Sequence, residues 1–217
     1  MTRYSDLAND AKTRHLTILG GFHPTNEDGA PASCGTMLLL GPDEPAFWPY
    51  LHTTPEWQDG QPDPIDRWST RVLDAWAKDL GAQALYPFTG PPYHPFFSWA
   101  LLTKRIKASP IMFLVHDEAG LFVSFRGALA LPEKIDLPEP FESPCDTCAT
   151  QPCRTACPVD ALSGGQYDVS GCKSHLAVEA GTPCLTGGCL ARRACPVSQS
   201  WGRIPEHSGY HMSRFLE

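Results

Sequence analysis

The stretch CDTCATQPCRTACP at residues 145–158 decides how the rest of the chain is read. Its thiols follow the pattern Cys145-x2-Cys148-x4-Cys153-x3-Cys157, and the last is followed by Pro158. A second stretch, CLTGGCLARRACP at residues 184–196, supplies Cys184, Cys189 and Cys195 and closes on Pro196. Cys172 lies between the two runs. Of the nine cysteines, all but Cys34 fall in this last third of the chain, as many as two four-iron clusters need for ligands. A close-spaced run ending in Cys-Pro is a signature of iron–sulfur ligation, in which the last Cys serves the other cluster.

Disulfides and zinc are the competing chemistries. Disulfides require an oxidising compartment, and nine is an odd count. Structural zinc favours paired Cys-x2-Cys knuckles, and only Cys145 and Cys148 make one. Soft thiolates followed by proline favour two 4Fe-4S clusters. Under the crossing rule, Cys145, Cys148, Cys153 and Cys195 hold one cluster, and Cys157, Cys172, Cys184 and Cys189 hold the other. The second gap of the first run is four residues where the common run has two. Extra loop residues are tolerable around a cluster. Cys34 reads as a small buried hydrophobe.

The whole chain fits a soluble globular protein: 217 residues, 42% apolar, 19% charged, with a loop-rich 22 prolines. No apolar run is long enough to span a membrane, and the N-terminus lacks the apolar core of a secretory signal. A cytoplasmic, reducing location is expected. Residues 1–139 carry 17 acids and 11 bases, and residues 140–217 carry 7 and 6. Such a chain lacks the basic footprint of a nucleic-acid binder.

Periodicity divides the chain. Residues 2–14 read as a short amphipathic helix. His15–Gly21 and Gly35–Leu40 read as strands bounded by breakers. Residues 42–64 read mostly as loop. Pro64–Leu80 is the clearest helix: Ile65, Trp68, Val72, Leu73, Trp76 and Leu80 recur at three- and four-residue steps, and Gly81 stands at the C-cap. A strand at Gln83–Phe88, a helix at Phe96–Lys107 and a hairpin of Ile111–Val115 with Leu121–Phe125 complete an α/β (α+β) domain with a mixed sheet. The expected organisation is an α/β domain at 1–131, a Pro-rich linker at 132–144, a loop-rich ferredoxin-like dicluster domain at 145–205, and a tail at 206–217. The cysteine domain has few large apolar residues and needs a staple, which bound metal supplies.

The stretches 145–162, 171–176 and 188–196 resemble the cluster domain of the epoxyqueuosine reductases, with related modules in the reductive dehalogenases. A lone Cys between the two runs, here Cys172, is part of that likeness. In those families the neighbouring α/β domain is similar to the cobalamin-processing enzymes, themselves akin to flavin nitroreductases, and holds a corrinoid near the first cluster. The segment 109–129 looks like the hairpin that precedes the cluster domain in that family.

Outside the cysteines, the aromatic stretch 90–99 offers Tyr93, His94 and Trp99 as walls for a flat cofactor, a corrinoid or a flavin. Arg126 is a candidate for a phosphate or carboxylate. Each also has a plain packing role open to it. No Gly-x-Gly-x-x-Gly follows a strand, so a Rossmann nicotinamide site is not signalled. His207 and His211 stand four apart in a tail helix, on an expected solvated face. Two functions follow. One is an electron-transfer protein serving redox partner proteins. The other is an oxidoreductase whose clusters feed a corrinoid or flavin that reduces a small molecule.

Overall fold

The computed structural model describes residues 2–217. In chain order the elements are α1 (Tyr4–Thr13), β1 (Leu16–Phe22), β2 (Thr36–Pro42), α2 (Phe47–Leu51), α3 (Pro55–Gln58), α4 (Pro64–Leu80), β3 (Gln83–Leu85) and α5 (Phe96–Leu102). They continue with β4 (Ile106–Ala108), β5 (Leu114–His116), β6 (Gly127–Leu131), α6 (Val169–Leu176), α7 (Thr182–Gly187), α8 (Leu190–Ala194), α9 (Pro196–Ser200) and α10 (Pro205–Leu216). No helix among the described residues is long and apolar enough to cross a membrane.

Contacts divide the chain into two compact units. Unit 1 is residues 1–106 with 124–141, and unit 2 is residues 107–123 with 142–217. The division is therefore discontinuous, unlike the single linker expected at 132–144.

Unit 1 is a mixed α/β layer built on the four-stranded sheet β1-β2-β6-β3. Every pairing in it is antiparallel, which corrects the expected mixed sheet. The strand β6 returns late in the chain and inserts between β2 and β3. All of β2 and β6 is buried. Gly127 opens β6 because a Cβ there would lie 2.4 Å from Leu73 Cδ1 of α4. α4 packs on β3 and β6 and buries Ile65, Trp68, Leu73 and Trp76, the face its periodicity marks. Gly81 ends it in the left-handed conformation, as a C-cap glycine does.

Three further expectations are revised. The stretch 42–64 is not plain loop: α2 buries Phe47, Trp48 and Leu51, and Pro55 starts α3, where a missing N–H costs nothing. Both helices are too short for periodicity to show. The strand at 83 and the helix at 96 end early, at Leu85 and Leu102. The hairpin is only half formed. β5 pairs with β4, and the turn closes by a His116–Gly120 bridge, but Leu121–Phe125 is not a strand. Side chains of unit 2 take the bonds that a partner strand would have taken. The Leu121 N–H donates to Ser198 Oγ at 2.8 Å. Arg192 donates to the Leu121 carbonyl, and Arg203 donates to the Phe122 carbonyl at 3.2 Å.

Unit 2 is made of short helices around a small apolar centre of Ile111, Val115, Leu121, Leu162 and Ala191, together with Cys153 and Cys195. The expected tail helix is α10, which packs on α7 and α6.

Candidate metal centres

The cysteines of unit 2 sit on or beside short elements. Cys153 lies in a single 3₁₀ turn at Pro152–Arg154, entered through Gln151 with φ +40°. Cys172 is on α6, whose first turn is capped by Asp168 accepting from the Gly171 N–H at 2.8 Å. Cys184 is on α7. Gly188, with φ +88°, then turns the chain so closely that a Cβ would lie 2.4 Å from Ser208 Cβ. That turn presents Cys189 just before α8. Pro196 starts α9 and leaves Cys195 extended, at φ −65° and ψ 123°. A proline disfavours helical backbone in the residue before it, so the Cys-Pro pair holds that thiol outside the helix.

Two cavities result. One, of about 350 Å³, is lined by Cys145, Cys148, Cys153 and Cys195 with apolar neighbours including Val115, Leu121 and Val197. The other is close-packed, with about 30 Å³ free, and is lined by Cys157, Cys172, Cys184 and Cys189 with Leu162, Tyr167, His175, Leu176 and Ala191. The four-and-four grouping coincides with the crossing rule: Cys157 leaves its own run and joins the second set, and Cys195 joins the first.

The electrostatics of each set point the same way. Burial pushes the Cys145 and Cys153 thiols up, and neighbouring thiols of their own set push them further. Cys172 and Cys184 are raised by burial first and then by the charges of Cys189 and Cys157. Cys145, Cys153, Cys172 and Cys184 so placed resist ionising, and a bound cation would favour their thiolates. Local donors are already aimed at some of them. The Ala161 N–H donates to Cys157 Sγ at 3.3 Å, the Leu190 N–H bonds Cys184 and the Tyr167 hydroxyl bonds Cys172. Arg192 lies over the Phe113 ring at 4.5 Å, with its charge near Cys189.

Each cavity also carries one buried polar atom with no protein hydrogen bond: Ser109 Oγ in the first and His175 Nε2 in the second. Buried polar groups are nearly always satisfied, by protein, water or a bound group. Among the described residues, no three His, Cys, Asp or Glu side chains are grouped so as to hold a single metal ion. Four soft thiols to a cavity are a donor set that a multi-atom inorganic group could use. The first cavity has room for one. Loading the second requires the side chains of α6, α7 and α8 that line it to move apart.

The other candidates lie in unit 1, and none lines either cavity. Tyr93 is exposed. His94 stacks on Trp99 at 5.6 Å. Trp99 is fully buried, and its indole N–H donates to the Asp28 carbonyl at 2.7 Å, the environment of a packed core ring. Arg126 is buried and lies 3.4 Å from Asp66. Cys34 is half-buried, and burial pushes its thiol up to about 11. In unit 2 the tail departs from its expected solvated face: His207 is 1% exposed, with its Nε2 3.1 Å from His211 Nε2.

Sequence reasoning missed Ser109, Tyr167, His175 and Arg192. For His175 a signal exists, since three residues after Cys172 is the same face of a helix. For the others nothing local marks them. Comparison of the chain with family models, curated proteins and solved structures finds no match.

Proposed function

We propose that this protein is an iron–sulfur electron-transfer protein with two 4Fe-4S centres. One is held by Cys145, Cys148, Cys153 and Cys195, the other by Cys157, Cys172, Cys184 and Cys189. The observation that carries the reading is the sorting of eight thiols into two cavities of four, with one thiol of each run crossing to the other set. Soft thiolate sets of this kind suit iron–sulfur groups.

Such groups, when bound, supply storage and transfer of single electrons. The chain's own residues do the rest. Ala161, Leu190 and Tyr167 hold donors on the sulfurs of the second set, where hydrogen bonding tunes the potential. Leu162, Ala191 and Ile111 keep water from the space beside the thiols. The resemblance to the epoxyqueuosine reductase cluster domain supports the same reading.

The test is direct. Anaerobically purified protein should be brown and carry about eight irons per chain. Cys157→Ser should abolish the second centre and leave the first, while Cys195→Ser should do the reverse. Each variant then retains about half the iron. A colourless protein, or loss of the first centre alone in Cys157→Ser, would defeat the assignment. Titration of the loaded protein with cobalamin, FMN and FAD separates a carrier from a reductase: the carrier binds none of them.

A further inference from the structure

His175 stands on α6 one turn beyond Cys172, and both side chains line the second cavity. Its Nε2 is shielded from solvent and makes no hydrogen bond within the protein. The other walls are thiols, the Tyr167 ring and apolar groups such as Leu162, Leu176 and Met212. The acceptors among the lining side chains are the four sulfurs and the Tyr167 oxygen, whose own proton is engaged with Cys172. Two contacts hold the α6 backbone near His175. Gly181 passes so close to the His175 carbonyl that a Cβ would lie 2.0 Å from the oxygen, and Lys173 ties α6 to the Leu216 carbonyl at 3.4 Å.

We infer that His175 donates an Nε2–H hydrogen bond to a sulfur of the iron–sulfur group held by Cys157, Cys172, Cys184 and Cys189, and so raises the reduction potential of that centre. This rests on the function proposed above. Reduction adds one electron from an external low-potential donor; no bond is made or broken at His175, and its proton stays on Nε2. The added negative charge strengthens the hydrogen bond, so the donor stabilises the reduced form more than the oxidised one. The charge of Arg192 beside Cys189 acts in the same direction.

The experiment is a potentiometric titration of the full-length, anaerobically purified protein, followed by electron paramagnetic resonance. The second centre is identified by the signal lost in Cys157→Ser. His175→Phe should lower its potential, so that at a fixed poise its reduced-to-oxidised ratio falls about tenfold, or about 59 mV for one electron. The first centre should not move. His175→Gln keeps a donor and should stay close to the wild type. A second measurement does not depend on how the variants assemble: in wild-type protein labelled with ¹⁵N-histidine, the reduced second centre should show a nitrogen coupling in pulsed spectra. Two intact centres with an unshifted second potential in His175→Phe, or no histidine coupling in the wild type, would overturn the role of His175 alone. A wild-type protein without iron would overturn the underlying reading as well.

Discussion

Unit 1 encloses the largest fully buried side chains of the molecule, among them Trp68, Trp76, Trp99, Phe47 and the leucines of β1 and β2. Unit 2 buries a sparser set: Ile111, Val115, Leu121, Leu162 and Leu176, mixed with Cys153, Cys184 and Cys195. The first interior follows the ordinary rule that apolar area removed from water drives folding. The second has too little such area for its length, and its helices are mostly shorter than two turns. Small units of this kind draw on bound metal for folding free energy. Under the function proposed above, the chain combines a self-sufficient layer with a unit that would draw part of its order from filled thiols.

The sharpest way to break that contrast is to strip the metal. Chelation under reducing conditions should remove a contribution on the order of 10 kcal/mol from unit 2. Amides of α6 to α9 should then lose protection from hydrogen exchange, while β1, β2 and β6 keep theirs. Retained protection in α6 to α9 after complete iron removal would show that the apolar core of unit 2 suffices.

A smaller effect belongs to unit 1. Trp76→Ala empties a fully buried site in α4 and should cost about 3–5 kcal/mol. Denaturant unfolding followed on unit 1 measures it, and iron per folded chain should be unchanged. A cost under about 1 kcal/mol would mean that α4 is not the keystone its burial implies.

The smallest effect concerns the lone thiol of unit 1. Burial holds the Cys34 thiol up at about 11, above the ordinary value of about 8.5. Its folded pKa is the higher, so the neutral thiol's contribution is fully present below about pH 8.5 and is lost as pH rises through about 11. Because Cys34 is only half-buried, the loss should stay below about 1 kcal/mol. Wild type should therefore lose stability relative to Cys34→Ala over that range, by urea midpoint. A difference that is flat with pH would place Cys34 in effectively aqueous surroundings.

Legibility differed between the units for physical reasons. α4 was readable because Ile65, Trp68, Leu73 and Trp76 announce one buried face at helical spacing. β1 and β2 were readable as apolar runs between breakers. β6 was not, because Gly127–Leu131 follows directly on the apolar residues 121–125 and finds its partners, Thr36–Leu40 and Gln83–Leu85, far back in the chain. The half-formed hairpin failed for the same reason: Ser198, Arg192 and Arg203, some eighty residues on, take its backbone groups. The helices α7 to α9 were invisible, since cysteines and turns occupy the places where a periodic apolar face would be.

By itself the sequence determined the supply of chemistry: eight clustered thiols in two runs, each closed by Cys-Pro, and one strongly amphipathic helix. These are local facts, set by covalent order and by which neighbours share a helix face. Tertiary structure alone decided the antiparallel order β1-β2-β6-β3, and the place of His175 along the second cavity with its Nε2 lacking a protein partner. Each of those depends on contacts between residues far apart in the chain, which compete for the same interior space and are settled only when the whole unit packs.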